Sequence, residues 1–266
     1  MKTHILKSAI CLLSILFIAT ACKKNKEDET PAPASETCTL KYVVDSEIGD
    51  STALVYDEQN RISKVQYYDE TGAEGNYITY TYGTNKITYV IHDDEGEHAT
   101  YLHLNAAGTI DYLAMYNEFN GGTVKQSDTI FYTYNAEGYN IQKVQKYESV
   151  SGGMTYSGKD TTWNTYVDGN LITEKEKRDG GKIIITTNTY TSILSKGIFD
   201  SNLLIPGIGG KENKNLLKST SNNDDSDTYS YIYEINPQGY VSRSVSTYKH
   251  DGKEEETDLN FYYNCK

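Results

Sequence analysis

The stretch Tyr132-Thr133-Tyr134-Asn135-Ala136-Glu137-Gly138-Tyr139-Asn140-Ile141 limits the folds open to this chain more than any other. Aromatics alternate with Thr, Asn-x-x-Gly reverses the chain, and an apolar residue restarts it, which is the pattern of strand, tight turn and strand. Asn or Asp at the first turn position can bond its own backbone two residues on, and Gly at the fourth supplies a positive φ. Looser copies stand at Asp57-Glu58-Gln59-Asn60, Gly83-Thr84-Asn85, Asn105-Ala106-Ala107-Gly108, Val167-Asp168-Gly169-Asn170 and Asn236-Pro237-Gln238-Gly239. The first five turns fall at 57, 83, 105, 135 and 167, so the spacings of 26, 22, 30 and 32 residues describe a two-strand repeat with insertions rather than a strict solenoid.

Between these turns the chain is rich in Tyr, Thr, Val and Ile, residues that fit a pleated, half-buried surface. It holds 25 Tyr against 5 Phe and 1 Trp, and no long stretch has the helical apolar period. Strands are predicted near 39–46, 51–57, 61–69, 75–83, 86–94, 97–105, 110–119, 127–135 and 140–149, and again near 160–167, 170–178, 182–192, 227–236, 240–249 and 255–264. Tight connections alternate with variable ones at 69–76, 93–97, 120–127, 149–159, 179–182 and 250–254. In a hairpin meander that alternation puts the tight turns on one rim and the variable loops on the other, where specificity often resides. Residues 193–226 break the rhythm. Their Ile193-Leu194, Leu203-Leu204-Ile205-Pro206-Gly207-Ile208 and Leu216-Leu217 predict an irregular insertion that caps one end of the sheet, with a ligand-gripping loop as the alternative.

About fifteen consecutive strands exceed what an open twisted sheet holds before it curls or splits, so the expected fold is all-β: an antiparallel meander forming a strongly curled sheet or a closed barrel. Cys38 opens the first strand and Cys265 closes the last. In an exported protein such a pair suggests a disulfide joining the domain's ends, worth roughly 5 kcal/mol for so long a loop in the chain-entropy model, the other reading being two free thiols. A membrane pore would need an apolar face on each strand. Ile141-Gln142-Lys143-Val144-Gln145-Lys146-Tyr147 offers none, and Thr173-Glu174-Lys175-Glu176-Lys177-Arg178 even less.

The amino terminus points to export. Lys2, His4 and Lys7 precede an apolar run of 11 residues, Ala9 to Ala19, too short to span a bilayer as a helix and suited to a signal-peptide core. Ala19-Thr20-Ala21-Cys22 resembles a bacterial lipobox, departing from it at Ala19, where Leu is commoner. The resemblance implies a signal peptide over 1–21 and lipid on Cys22, which becomes the new amino terminus; ordinary cleavage after Ala21 is the alternative. Residues 22–36 lack large apolar side chains and read as a flexible tether, its 14 residues beyond Cys22 reaching roughly 45 Å if stretched. Glu27, Asp28 and Glu29 resemble the acidic export signal of surface lipoproteins in Bacteroidota-type bacteria. An outer-membrane lipoprotein is expected, on the periplasmic face or at the cell surface, with residues 37–266 as a single β-meander domain.

Without residues 1–21, 23 Lys and Arg face 37 Asp and Glu, a balance of −14 that argues against nucleic acid or an anionic lipid surface as partner. No nucleophile elbow, HExxH, Walker loop, Rossmann glycine pattern or CxxC occurs. His92, His98 and His103 lie on neighbouring strands and would bind a metal only by converging on one face; exposed polar positions are the plainer account. Asn222-Asn223-Asp224-Asp225-Ser226-Asp227 could offer calcium oxygens but lacks EF-hand spacing and reads as a solvated loop. No catalytic residue, metal site or cofactor is assigned.

The turn unit Tyr56-Asp57-Glu58-Gln59-Asn60-Arg61-Ile62 resembles the YD-type (Rhs-like) repeat, with Asn60 where that repeat prefers Gly. Together with Gly209-Gly210-Lys211-Glu212-Asn213-Lys214-Asn215-Leu216-Leu217 and the hairpins around Tyr229-Ser230-Tyr231-Ile232-Tyr233 and Gly239-Tyr240-Val241, residues 39–264 resemble a family of uncharacterised Bacteroidota lipoproteins with a porin-like β fold. The resemblance implies fold and compartment and carries no activity. The expectation is a non-enzymatic binding or scaffolding module whose ligand is a glycan, a peptide or a partner protein. The alternative is an envelope hydrolase with a scattered carboxylate site.

Overall fold

The computed structural model describes residues 38–94, 96–119, 124–196, 205, 207–224 and 227–265. The predicted signal peptide, Cys22 and the tether lie outside the described residues. The described residues form sixteen strands: β1 Cys38–Asp45, β2 Ser51–Tyr56, β3 Ile62–Tyr68, β4 Glu74–Tyr82, β5 Lys86–Asp93, β6 Gly96–Leu104, β7 Ile110–Phe119 and β8 Val124–Tyr134. The second half continues with β9 Asn140–Ser151, β10 Met154–Val167, β11 Asn170–Lys177, β12 Ile183–Leu194, β13 Asn215–Asn222, β14 Thr228–Ile235, β15 Val241–His250 and β16 Lys253–Cys265. Each pairs antiparallel with its chain neighbours, and β1 pairs with β16, so the sheet is a closed barrel. Along that seam Cys38 faces Cys265, and a disulfide joins them.

The strand beyond the expected fifteen is β13, which lies inside the segment read as irregular, 193–226. Its sequence, Asn-Leu-Leu-Lys-Ser-Thr-Ser-Asn, lacks apolar alternation. It is a strand because β12 and β14 would otherwise present unpaired backbone groups to each other across a gap. The connection between β12 and β13 leaves Leu194 and returns at Asn215 on the rim of the tight turns and of Cys38 and Cys265, as the meander requires of a connection leaving an even-numbered strand.

The tight turns have the chemistry their residues predict. Oδ1 of Asn135 accepts from the amides of Glu137 and Tyr139, both at 3.0 Å, and Gly138 sits at φ 91°. Asp57 and Asn105 accept from the amides two and four residues on in the same way, and Asn236 accepts from Tyr240. Where Gly108, Gly138 and Gly239 occupy the left-handed position, the first turn places Asn60 at φ 60°. Register shifts accompany the turns, at Val55/Tyr56, His103/Leu104, Thr133/Tyr134, Thr165/Tyr166 and Glu234/Ile235. Such bulges add local twist. A second tie runs between hairpins. The hydroxyls of Tyr56, Tyr82, Tyr134 and Tyr190 donate to the carbonyls of Leu40, Ile62, Ile110 and Leu171, at 2.6, 2.7, 2.8 and 2.9 Å. Each of these four tyrosines thus ties the strand it stands on to the tight-turn-rim end of the strand before it.

Pairing and alternation sort side chains into two walls. Leu54 opposite Val65 and Leu102 opposite Leu113 are buried and define the inside. Val65, Leu102 and Ile110 have no exposed surface. The inward side of β1–β8 is largely apolar, whereas β9–β11 turn Lys143, Gln145, Asn164 and Glu174 inward. The outward row Thr88–Tyr101–Ala114–Thr129–Lys146–Lys159 is mixed. Elsewhere on the outer wall Arg243 donates to Asp258 at 2.9 and 2.7 Å and to Glu234 at 2.9 Å.

The turn geometry makes Asn60 testable. Replacing it with Ala forces an ordinary side chain into the left-handed region and is expected to cost about 1 kcal/mol, whereas Asn60→Gly stays within roughly 0.5 kcal/mol of the parent. Denaturant unfolding of the two variants checks this ordering.

Candidate binding cavity beneath residues 205–214

Five strands and the connection between β12 and β13 enclose a cavity of about 310 Å³. Ile205 and Ile208 of that connection pack on the apolar half of the lumen, and Ile208 is buried. Backbone bonds pin the segment to three successive turns of the rim. Ile110 donates to the Ile208 carbonyl at 2.9 Å, Lys211 to that of Gly138 at 2.8 Å, and Lys214 to that of Gly169 at 2.9 Å. Two Asn residues complete the attachment. Oδ1 of Asn213 accepts from the Leu171 amide at 2.8 Å, and Oδ1 of Asn170 accepts from the Asn215 amide at 2.9 Å. The segment therefore caps the tight-turn end of the barrel, the first of the two roles its leucines and glycines suggested; Leu203, Leu204 and Pro206 lie outside the described residues. Close approach depends on Gly210. A Cβ there would stand 2.7 Å from the Gly138 carbonyl oxygen and 2.7 Å from the Tyr134 ring, at φ 102°.

The cavity wall is polar with aromatic faces. Lys143 on β9 meets Glu174 on β11 at 3.3 Å, both partly open to the cavity. Glu212 accepts from the Gly207 amide at 3.0 Å, and Lys211 stands over the Tyr139 ring. Asn164 uses its amide nitrogen on the carbonyl and the side-chain oxygen of Asn140, at 3.0 and 3.1 Å. That fixes which way the amide points and leaves its own oxygen buried without a partner. Tyr132 and Tyr166 supply ring surface. Burial pushes the Tyr132 hydroxyl up to about 12, so the ring enters the wall as a neutral phenol. Burial likewise raises Tyr56 and Tyr134 to about 12.

The candidate ligands suggested by sequence do not assemble into a second site. His92 and His103 face outward and stack on Tyr77 and Tyr112, each at 4.2 Å, whereas His98 pairs with Ile91 on the opposite face of the sheet beside Asp93. In the 222–227 loop, Asp224 pairs with Lys182 and Asp227 with His250, and Asn223 accepts from the Ile185 amide at 2.7 Å. No group of three or more His, Cys, Asp or Glu able to hold a metal occurs among the described residues. Buried Asp128 accepts from Gln126 and Gln145, at 2.8 and 3.3 Å. The polar residues of the cavity, Lys143, Asn164 and Glu174, were not singled out by sequence. Their strands are polar on both faces, so no local signal marks them.

Solved structures share this barrel. A porin-like protein from Bacteroides uniformis ATCC 8492 matches with a TM-score of 0.57 at 20% identity, over 88% of this chain and 98% of its own. A porin-like protein from Bacteroides vulgatus ATCC 8482 matches with a TM-score of 0.58 at 12% identity, over 85% of this chain and 98% of its own. The chain has a porin-like β fold. No protein-family model and no curated protein matches its sequence. At these identities the likeness is one of fold, and the outer wall and the cap decide how this barrel uses it.

Two outcomes test the geometry. Gly210→Ala is expected to cost roughly 1–3 kcal/mol and to speed hydrogen exchange at the Lys211 and Lys214 amides, because the strained backbone must lift from Gly138. Raising pH tests the tyrosines. A hydroxyl whose folded pKa exceeds its unfolded value of 10.0 stabilises the fold fully below pH 10 and loses that contribution as pH climbs through about 12. Stability followed by circular dichroism should therefore fall across this window, together with a late class of phenolate absorbance.

Proposed function

We propose that the protein is a lipid-anchored binding module of the cell envelope, held to the outer membrane through Cys22, and that it captures a ligand and conducts none. The observation that supports this most is the outer wall. A transmembrane barrel turns a continuous apolar band to the lipid, whereas here Lys146 and Lys159 share an outward row and Arg243, Asp258 and Glu234 form an outward ion cluster. A barrel with such a wall stands in water and needs a separate anchor, which the lipobox-like Ala19-Thr20-Ala21-Cys22 would supply. The tyrosine repeat and the capped lumen favour binding over catalysis: the carboxylates of the cavity are held by Lys143 and by a backbone amide. The reading applies equally to the periplasmic face and to the cell surface, and it extends the YD-like lipoprotein resemblance.

Labelling cells with a radioactive fatty acid tests the anchor. Label is expected on the parent and absent from Cys22→Ala, which should leave the membrane as a folded, detergent-free barrel. A Cys22→Ala chain that stays in the outer membrane, or stepwise conductance of the parent in planar bilayers, would overturn the proposal.

A further inference from the structure

The cavity beneath residues 205–214 carries a statement about ligand chemistry, one that rests on the binding reading above. Its charged side chains balance: Lys143 and Lys211 against Glu174 and Glu212. Lys143 and Glu174 already neutralise each other at 3.3 Å, and Glu212 is engaged by the Gly207 amide. A charged ligand would enter a site with no net opposite charge and would have to break an existing pair, which in a partly desolvated cavity is costly. A neutral ligand keeps the pair. It must still satisfy what the pair leaves open. An ammonium has three donors and a carboxylate two oxygens, so Lys143 retains donors and Glu174 retains acceptor capacity beyond their single contact, and about a third of each side chain is exposed. A hydroxyl is the small neutral group that serves both, accepting from Lys143 and donating to Glu174. Tyr132 and Tyr166 supply apolar ring surface for the C–H face of the same molecule. The volume, about 310 Å³, lies at the small end of the range for ligand sites.

We infer that this cavity holds one neutral sugar residue, free or at the end of a glycan, with vicinal hydroxyls bridging Lys143 and Glu174 and its ring against Tyr132 and Tyr166. A single sugar has few heavy atoms, so an affinity of about millimolar is expected for a monosaccharide.

Calorimetry on the full lipoprotein, purified in a detergent without a sugar headgroup, tests this. The probes are glucose, galactose and N-acetylglucosamine, with glucuronate as the anionic sugar and alanine as the zwitterion. Neutral sugars should bind and the other two should not. Glu174→Gln keeps the shape and leaves Lys143 unpaired; it should weaken the neutral sugar at least tenfold and admit glucuronate. Lys143→Met should weaken the neutral sugar without admitting glucuronate. Thermal melting of each variant shows whether the barrel is intact, and a charge-dependent change of preference is not what a merely structural ion pair would produce. The inference fails if no neutral sugar binds, if alanine binds instead, or if sugar binding ignores both folded variants. Fatty-acid labelling and the conductance measurement are independent of these titrations, so failure of the ligand class leaves the anchored-module reading standing.

Discussion

Closure of the sheet between β1 and β16 is the condition on which the rest of the molecule depends. A meander of sixteen strands has two edges unless its ends meet, and each free edge would be a row of unpaired amides and carbonyls open to association. Here Val43 opposite Phe261 and Leu40 opposite Tyr263 continue the inner wall across the seam. The seam can form only if every preceding hairpin advances with the right stagger, because a slip of one residue would turn a strand's inward side chains outward. Register is therefore set repeatedly around the barrel, at the Asn135 turn by all three of an Asx-bonded turn, an adjoining bulge and a tyrosine hydroxyl that reaches the strand before it. The tyrosine ties belong to this one rim. The opposite rim repeats the Asx-bonded turn at Asp69, whose Oδ1 accepts from the Thr71 and Ala73 amides, both at 2.9 Å, beside a register shift at Gln66/Tyr68.

Once closed, the barrel has an inner and an outer wall, and side chains on alternate positions belong to different ones. The inner wall of the first eight strands carries the apolar cluster of Leu40, Leu54, Val65, Leu102 and Ile110. The following strands turn amides and charges inward, where they pair with one another: Lys143 with Glu174, Gln145 with Asp128 and Asn164 with Asn140. The outward rows hold lysines and ion pairs. Tyrosine serves both walls, since its ring packs and its hydroxyl bonds. Outward pairs such as Tyr42 with Tyr262, 4.4 Å apart, stack across strands, while Tyr56 and Tyr134 bury theirs and donate to backbone. A porin-like topology thus says how the strands are ordered, and the register says which wall each side chain joins.

Much of this was legible in the sequence because turns and strands are local. Asn135 and Gly138 declare a turn whatever surrounds them, and Tyr-Thr alternation declares a strand. β13 was not legible, since Leu216-Leu217 followed by Lys-Ser-Thr-Ser has no alternating face and becomes a strand by necessity of its neighbours. The cavity was illegible for a different reason. Thr173-Glu174-Lys175-Glu176 is polar on both faces, so period alone cannot say whether Glu174 or Lys175 looks inward. The register does: Glu174 pairs with Asn164, and Lys175 with Trp163 on the outer wall. Which polar residues meet is a property of five aligned strands, and one strand does not contain it.

The cap follows from the same topology. A connection between an even strand and the next odd one must leave at the tight-turn rim, so a long segment placed there has turns to bind and a lumen to enter. Residues 205–214 do both, bonding Gly138 and Gly169 while burying Ile208. Cys38 and Cys265 lie on this same rim, so the capped end is also the end at which the disulfide closes the sheet. The connections at 46–50, 69–73, 152–153 and 178–182 emerge at the other rim, away from the cap and the disulfide. The cap and the covalent seam therefore brace the same end of the barrel, and the other end is left to short hairpin connections.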